Sequence, residues 1–375
     1  MDRYKKITAA AVLGFAAVMA FGTFLSRGKK VSADEARTLT DFPKASLSAM
    51  FDGSFPEQAE KHFTDHFMLR SKWLSFESDI QPRIGESIVN GVYIGEDRLL
   101  NCGISDRIPD PSAAEKINDF AAGYDGTVYI AAVPSSSGVY DDELPYHLHG
   151  DSEAQQISGF YDSLSGSVRK IDAYNILRML RDNYIYYRSD TKWTSYGAYC
   201  VYRTVIQKLG FLPTTYDKYT VLHVSDNFRG NLYNRTLYKD IMPDLLDIYE
   251  YPDGAQVTAC MASDGDGHTV ESSLYDMDML ETSDMYRMYL GKEVPVLDIE
   301  TSLNNQRKLL VIKDSYADCF IPFLTQHFSR ITVVSPEHMK GVLSDNVDVS
   351  DYEQTLILFG IENIGNTGFF SGISS

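Results

Sequence analysis

Two distant segments of the chain carry residue types suited to acyl transfer. Asp190, Lys192 and Trp193 lie on a short aromatic-lined turn in YIYYRSDTKWTSYGAY (184–199), and Asp314-Ser315 ends the apolar run LLVIKDSYAD (309–318). A serine hydroxyl, a base that takes its proton and a carboxylate that orients the base are the parts of a serine acyl-transfer site. Where such a turn wants histidine, this chain has Lys192. A lysine next to a carboxylate has its pKa raised, whereas a general base at neutral pH needs a lysine depressed by burial. Lys192 is therefore a poor substitute base unless its head is desolvated and turned away from Asp190. The alternative is that Asp190 and Lys192 form a structural ion pair that helps to start a helix at Thr194.

Ser315 is expected at the carboxyl end of a strand, where α/β sheets gather their ligands. If a helix starts there, its free N–H groups favour an alkoxide or oxyanion. The plainer alternative is that Asp314 or Ser315 is only an N-cap. Tyr184, Tyr186, Tyr187 and Trp193 form either a sugar-stacking platform or ordinary core. Strand alternation puts Tyr184 and Tyr186 on one face.

The eight histidines supply no obvious replacement base. His327 is about three turns beyond Ser315 on the expected helix, too far to reach it. His62 and His66, at i and i+4, share a helix face but lack a third metal ligand. His147, His149, His223, His268 and His338 carry no motif, and each reads as a surface or packing residue. Cys102, Cys200, Cys260 and Cys319 are scattered without metal-ligand spacing and read as buried and reduced, although disulfides are permitted outside the cytoplasm. No metal or cofactor is expected.

The elements that must position these residues alternate between strand and helix. Thr127–Pro134, KLLVIKD, RITVVS (330–335) and TLILFG (355–360) are short apolar runs. Helical patterns are placed at 113–122, 153–167, 194–209, 316–328 and 337–343. Short apolar strands separated by helices predict a parallel sheet covered on both faces. GVYIGEDRLLN reads as a β-hairpin, and 55–80 as a helical segment in which Phe63, Phe67 and Leu74 share one face and Leu69, Trp73 and Phe76 another. Residues 211–300 are less regular, and SDGDGH (263–268) reads as a loop, because its glutamate is not at the calcium-loop offset.

The N-terminus is a separate object. Ile7–Leu25 is uncharged and about long enough to cross a bilayer. It reads as an uncleaved signal-anchor, with a cleaved signal peptide ending near Val18-Met19-Ala20 as the alternative. The expected layout is a cytoplasmic N-terminus (1–6), a transmembrane anchor (7–26), a tether (27–50) and one extracytoplasmic domain (51–375). The chain has net charge −18, and removing residues 1–30 leaves 28 Lys+Arg against 51 Asp+Glu. That balance argues against nucleic acid or anionic lipid as a partner of the body, since both need a basic footprint.

Taken in order, several segments resemble the DHHW family of bacterial surface proteins, which is similar to the alginate O-acetyltransferase type with an SGNH-hydrolase-like fold. They are FPEQAEKHFTDHFMLRSKW (with Asp65, His66, Phe67 and Arg70), NGVYIGEDRLL, VPSSSGVYDDELP, YYRSDTKWTSYGAY, FRGNLYNR and LLVIKDSYADCFIPFL. The resemblance implies an α/β fold, Ser315 as nucleophile, Asp190 as triad acid, Trp193 as the motif tryptophan, and Lys192 in the histidine's position. It places Gly230 and Asn231 near the pocket, with Tyr187 and Trp193 as candidate substrate contacts. The implied function is O-acetylation of a cell-surface polysaccharide, with a membrane-bound O-acyltransferase as a natural partner. The alternative is a pseudoenzyme that binds glycan or scaffolds an assembly.

Overall fold

The computed structural model describes residues 3–26, 28–85, 87–102, 111–148, 152–291, 293–366 and 368–373. The expectation for His149 lies outside them. The chain packs as two compact units, Met1–Asn90 with Tyr233–Asp240, and Gly91–Leu232 with Ile241–Ser375. The division in packing thus falls at Asn90, not at residue 50 where the tether was expected to end.

In the first unit, helix α1 spans Arg3–Ser26, and Tyr4–Ser26 is long and apolar enough to cross a membrane. Within the expected tether, 27–50, part of the chain packs against the rest of the unit. Val31–Ser32 pairs with Arg37–Thr38, and Glu35 and Leu39 are buried. The expected helical segment 55–80 is two helices, α2 (Ser54–Asp65) and α3 (Arg70–Ile80), broken at Leu69 with φ 58°. Asp65 at the end of α2 accepts from the Arg37 guanidinium at 2.6 Å and the Thr40 amide at 2.9 Å. Burial pushes its carboxyl up, but these donors win and hold it well below the usual carboxylate range. His62 Nδ1 lies 2.7 Å from the Thr40 carbonyl, and His66 Nε2 2.8 Å from that of Lys29. The two histidines therefore bind backbone, which accounts for their burial without a metal. Of Phe63, Phe67 and Leu74, expected to share one helix face, only Leu74 is buried; Phe63 and Phe67 are exposed.

The second unit is built on an eight-stranded sheet. Its strands are β1 (Thr127–Val133), β2 (Arg169–Lys170), β3 (Val257–Ser263), β4 (Thr269–Glu271), β5 (Val296–Thr301), β6 (Lys308–Lys313), β7 (Arg330–Val334) and β8 (Gln354–Gly360). Their spatial order is β4-β3-β5-β7-β6-β8-β1-β2. From β7 to β2 neighbours are parallel, and β4, β3 and β5 extend the sheet antiparallel. The parallel strands read as continuous apolar runs because both faces are covered. Leu309 and Val311 of β6 enter one core and Leu310 and Ile312 the other. Helix α6 (Ser195–Lys208) packs on the first through Ala198, Val201 and Val205; α4 (Pro111–Gly123) and α5 (Glu153–Ser163) pack on the second. Each fully buried aliphatic side chain contributes about 2 kcal/mol, so this double covering dominates the stability of the unit.

The predicted strands and the helices at 113–122, 153–167 and 194–209 are all present, as is the hairpin Val92–Ile94/Leu99–Asn101. Residues 211–300 are more ordered than expected. Thr220–Phe228 pairs with Asp244–Glu250, and β3 and β4 form a hairpin around the 263–268 loop. These strands leave polar residues on an open face, so they carry no continuous apolar run to betray them. The four cysteines form no disulfide with one another.

Candidate active site

The turn that carries Asp190 is a tight antiparallel excursion. Tyr186 bridges Trp193, and the Thr194 amide donates to the Ile185 carbonyl at 2.9 Å. Thr194 caps α6, its hydroxyl accepting from the Gly197 amide at 3.1 Å. Residue 197 must be glycine, since a Cβ there would lie 2.3 Å from the Ile185 carbonyl oxygen. The tip is pinned by Asp244, which is fully buried and accepts from the Tyr184 hydroxyl (2.6 Å), the Arg188 and Ser189 amides (2.8 and 2.9 Å) and the Ser189 hydroxyl (2.5 Å). Burial raises the Asp244 carboxyl above its ordinary value despite those donors.

Asp190 is itself buried. Oδ2 accepts from the Asn231 amide at 2.8 Å; Oδ1 accepts from the Lys192 amide at 3.0 Å and meets Lys192 Nζ at 3.4 Å. Gly230 donates to the Ser189 hydroxyl at 3.0 Å. A Cβ on Gly230 would come within 2.3 Å of Asp190, so only glycine lets this backbone reach the carboxylate.

On the serine side, β6 ends at Lys313 and Asp314 caps the next turn, Oδ1 accepting from the Tyr316 amide at 2.9 Å. Its Oδ2 accepts from the Gly360 amide and from Asn363 Nδ2, each at 2.7 Å. Burial pushes the Asp314 carboxyl up to about 7, against the pull of these donors. The cap thus belongs to Asp314, and Ser315 is left exposed with no hydrogen bond to its hydroxyl among the described residues. The expected helix over 316–328 is absent. Ser315–Ala317 is one 3₁₀ turn, and a short helix restarts at Ile321–Leu324. Pro322 explains the break, since proline lacks an N–H and its ring clashes with the carbonyl four residues back. Ser315 therefore gains little from a helix dipole.

Two contacts join the segments. Trp193 Nε1 donates to the Tyr316 carbonyl at 2.7 Å, and the Tyr316 hydroxyl donates to the Thr191 carbonyl at 3.1 Å. Beside them lies a cavity of about 130 Å³ whose lining includes Ser315, Lys192, Tyr286, Lys313, Asp318 and Glu293. Lys192 Nζ sits 4.9 Å over the Tyr286 ring, and the Tyr286 hydroxyl donates to the Ser315 carbonyl at 3.2 Å. Lys313 pairs with Asp318 around the serine turn. Burial alone would lower the Lys192 pKa, but Asp190, Asp318, Glu362 and Asp284 together carry it above the ordinary lysine value. The neighbouring carboxylates thus favour the ammonium form of Lys192. The site can bind a carbonyl or anion and present a hydroxyl, and among the described residues no hydrogen bond ties that hydroxyl to a base.

Ser315 and Lys192 thus share one cavity, and Asp190 stands directly behind Lys192. Gly230 and Asn231 spend their backbone amides on Ser189 and Asp190, which makes them supports for the carboxylate, and Asn231 Nδ2 donates to Thr191 Oγ1 at 3.2 Å. Trp193 and Tyr187 do not present ring faces to a sugar. Both are buried, with Trp193 stacked on Phe320 at 6.2 Å; their size and tight packing put them in the core. His327, on no helix, is buried against the Tyr202 hydroxyl at 2.5 Å, and burial lowers its pKa to about 4. His338 Nε2 comes within 3.7 Å of Glu293, one of the cavity's carboxylates. Sequence reasoning missed Asp244, Tyr286 and Glu293, which are distant in the chain and have no motif. Lys313 and Asp318 were within reach, since they flank Ser315 in KDSYAD.

A family model described as "DHHW protein" matches residues 76–334. Among solved structures, a DHHW family protein from Eubacterium siraeum is similar over 77% of this chain and 97% of its own, with 21% identity and a TM-score of 0.65. Bacillus cereus PatB1 is similar over 74% of this chain and 98% of its own, at 20% identity and TM-score 0.63. A structure of PatB1 with a sulfonyl adduct is similar over 74% of this chain and 96% of its own, at 19% identity and TM-score 0.62. At these identities the likeness shows a shared fold. No curated protein sequence matches the chain.

Proposed function

The chain belongs to the DHHW family, and we propose that it is a membrane-anchored, extracytoplasmic protein of cell-surface polysaccharide O-acetylation whose acyl site has lost its base. Ser315 and Lys192 meet an O-acyl group, with the Lys192 ammonium donating to the acyl carbonyl and Asp190 holding the lysine in place. The observation that carries this reading is the Lys192–Asp190 pair, which keeps the lysine protonated beside an unbonded serine hydroxyl. General-base assistance contributes roughly 10²–10⁴-fold to such reactions, so its loss leaves a site that binds O-acylated glycan without turning it over above background. Anchoring follows from α1, and a membrane-bound O-acyltransferase is the partner that would load or receive the acyl group.

A second reading, an active serine acyltransferase or esterase, is favoured by one observation. Ser315 is exposed and lines the cavity, as a nucleophile should. Binding and hydrolysis of an O-acetylated polysaccharide separate the two. Wild-type protein is expected to retain the O-acetylated polymer over its de-O-acetylated form, to release acetate no faster than Ser315→Ala, and to lose the preference in Lys192→Met. Acetate release that requires Ser315 establishes the active enzyme instead; equal retention of both polymers overturns the acyl-site reading.

A further inference from the structure

The first unit exposes more large apolar surface than a water-facing unit should. Phe63, Phe67, Leu69, Trp73 and Phe76 are each 43–58% exposed, although they lie on or between two ordered helices. They are grouped: Trp73 and Phe76 meet edge to face at 6.4 Å, and Phe63 meets the exposed Phe42 at 6.1 Å. Contiguous exposed apolar patches of this kind mark an interaction surface.

The exit of α1 says what covers it. The Met68 amide donates to Thr23 Oγ1 at 3.2 Å, and a Cβ on Gly22 would collide with the Met68 side chain. His66 Nε2 holds the Lys29 carbonyl at 2.8 Å, just beyond the helix end. The bend between α2 and α3 is thus fastened to the last turns of α1. Residue 23 lies about 29 Å along the helix axis from Tyr4, close to the roughly 30 Å thickness of a bilayer's hydrocarbon core. Met68, and with it Phe67 and Leu69, therefore stands at the level where the span leaves the hydrocarbon. Tryptophan is favoured at that depth, and Phe and Leu line the apolar faces of helices that lie in the membrane interface.

We propose that Phe63, Phe67, Leu69, Trp73 and Phe76 form an interfacial shelf that lies in the lipid headgroup zone around the anchor. Lipid is the occupant because the patch is continuous with the span and at its boundary depth. This rests on the anchor part of the proposed function and is independent of the chemistry at Ser315. Such a shelf fixes the first unit against the membrane, rather than letting it swing on a tether.

The chain's two tryptophans make the test direct, since Trp73 is exposed and Trp193 fully buried. The full chain is reconstituted in phosphatidylcholine vesicles whose acyl chains carry bromine, and flotation is checked first. Bromine is expected to abolish most of the Trp73 emission, and Trp73→Phe to remove the bromine-sensitive component while flotation persists. Failure to float overturns the anchor and the shelf together. Flotation with Trp73 emission indifferent to bromine overturns the shelf alone. Protection of Trp73 from acrylamide that rises with protein density, without bromine quenching, assigns the patch to a second copy and also overturns the proposal.

Discussion

Lys192 is the residue on which the proposed chemistry turns. An ammonium with carboxylates around it is an electrostatic fixture, since opposite charge favours the charged form more than burial disfavours it. Other buried acids behave differently. Glu153 accepts from the Ser135 hydroxyl and amide at 2.5 and 2.8 Å, yet burial raises it to about 7. A carboxyl raised on folding contributes stability that is fully present below its unfolded value of 4.5 and is lost as pH climbs to about 7. Asp314 acts in the same direction. His327, lowered to about 4, opposes them: its contribution is present above 6.5 and lost as pH falls. The difference between wild type and Glu153→Gln isolates one term. Urea unfolding should show wild type losing about 3 kcal/mol relative to the variant between pH 4.5 and 7.5. A constant difference across that range contradicts the assignment.

Among the elements, the Asp190 turn depends on its neighbours more than on its own sequence. Asp244, Ser189 and Gly230 form a relay of hydrogen bonds behind the carboxylate. Gly230→Ala should be the informative lesion, because its Cβ meets Asp190 at 2.3 Å. Backbone shift of that size costs about 1–3 kcal/mol, and displacing Asp190 should weaken retention of O-acetylated glycan while leaving the sheet intact by circular dichroism. Unchanged retention contradicts the support role of Gly230. This layer was only partly legible beforehand. The 184–199 turn and the Ser315 corner announce themselves through local chemistry, whereas Asp244 lies 54 residues from Asp190 and acts only once strands pair. The helix after Ser315 was misplaced for a local reason, Pro322, whose cost outweighs the apolar periodicity around it.

For the whole molecule, the doubly covered sheet was readable because buried parallel strands leave continuous apolar runs such as Leu309–Ile312. The open-faced strands at 220–228 and 257–263 were not, since half of their residues face solvent and mimic loop composition. The buried Trp193 and Tyr187 show the same limit from the other side: aromatic type does not say whether a ring faces core or ligand. Packing also divides the chain at Asn90, where charge and hydropathy change little. What the molecule presents is a doubly covered α/β sheet with Ser315 and Lys192 lining one cavity and Asp190 bonded to the lysine.

The most direct test is the rate at which a sulfonyl fluoride or fluorophosphonate modifies Ser315, followed by intact mass in wild type, Ser315→Ala and Lys192→His. Wild type should label slowly and Ser315→Ala not at all. Lys192→His should label at Ser315 about 100-fold faster, within the range general-base assistance supplies. Wild type labelling as fast as Lys192→His, or a folded Lys192→His that gains nothing, contradicts a site missing only its base.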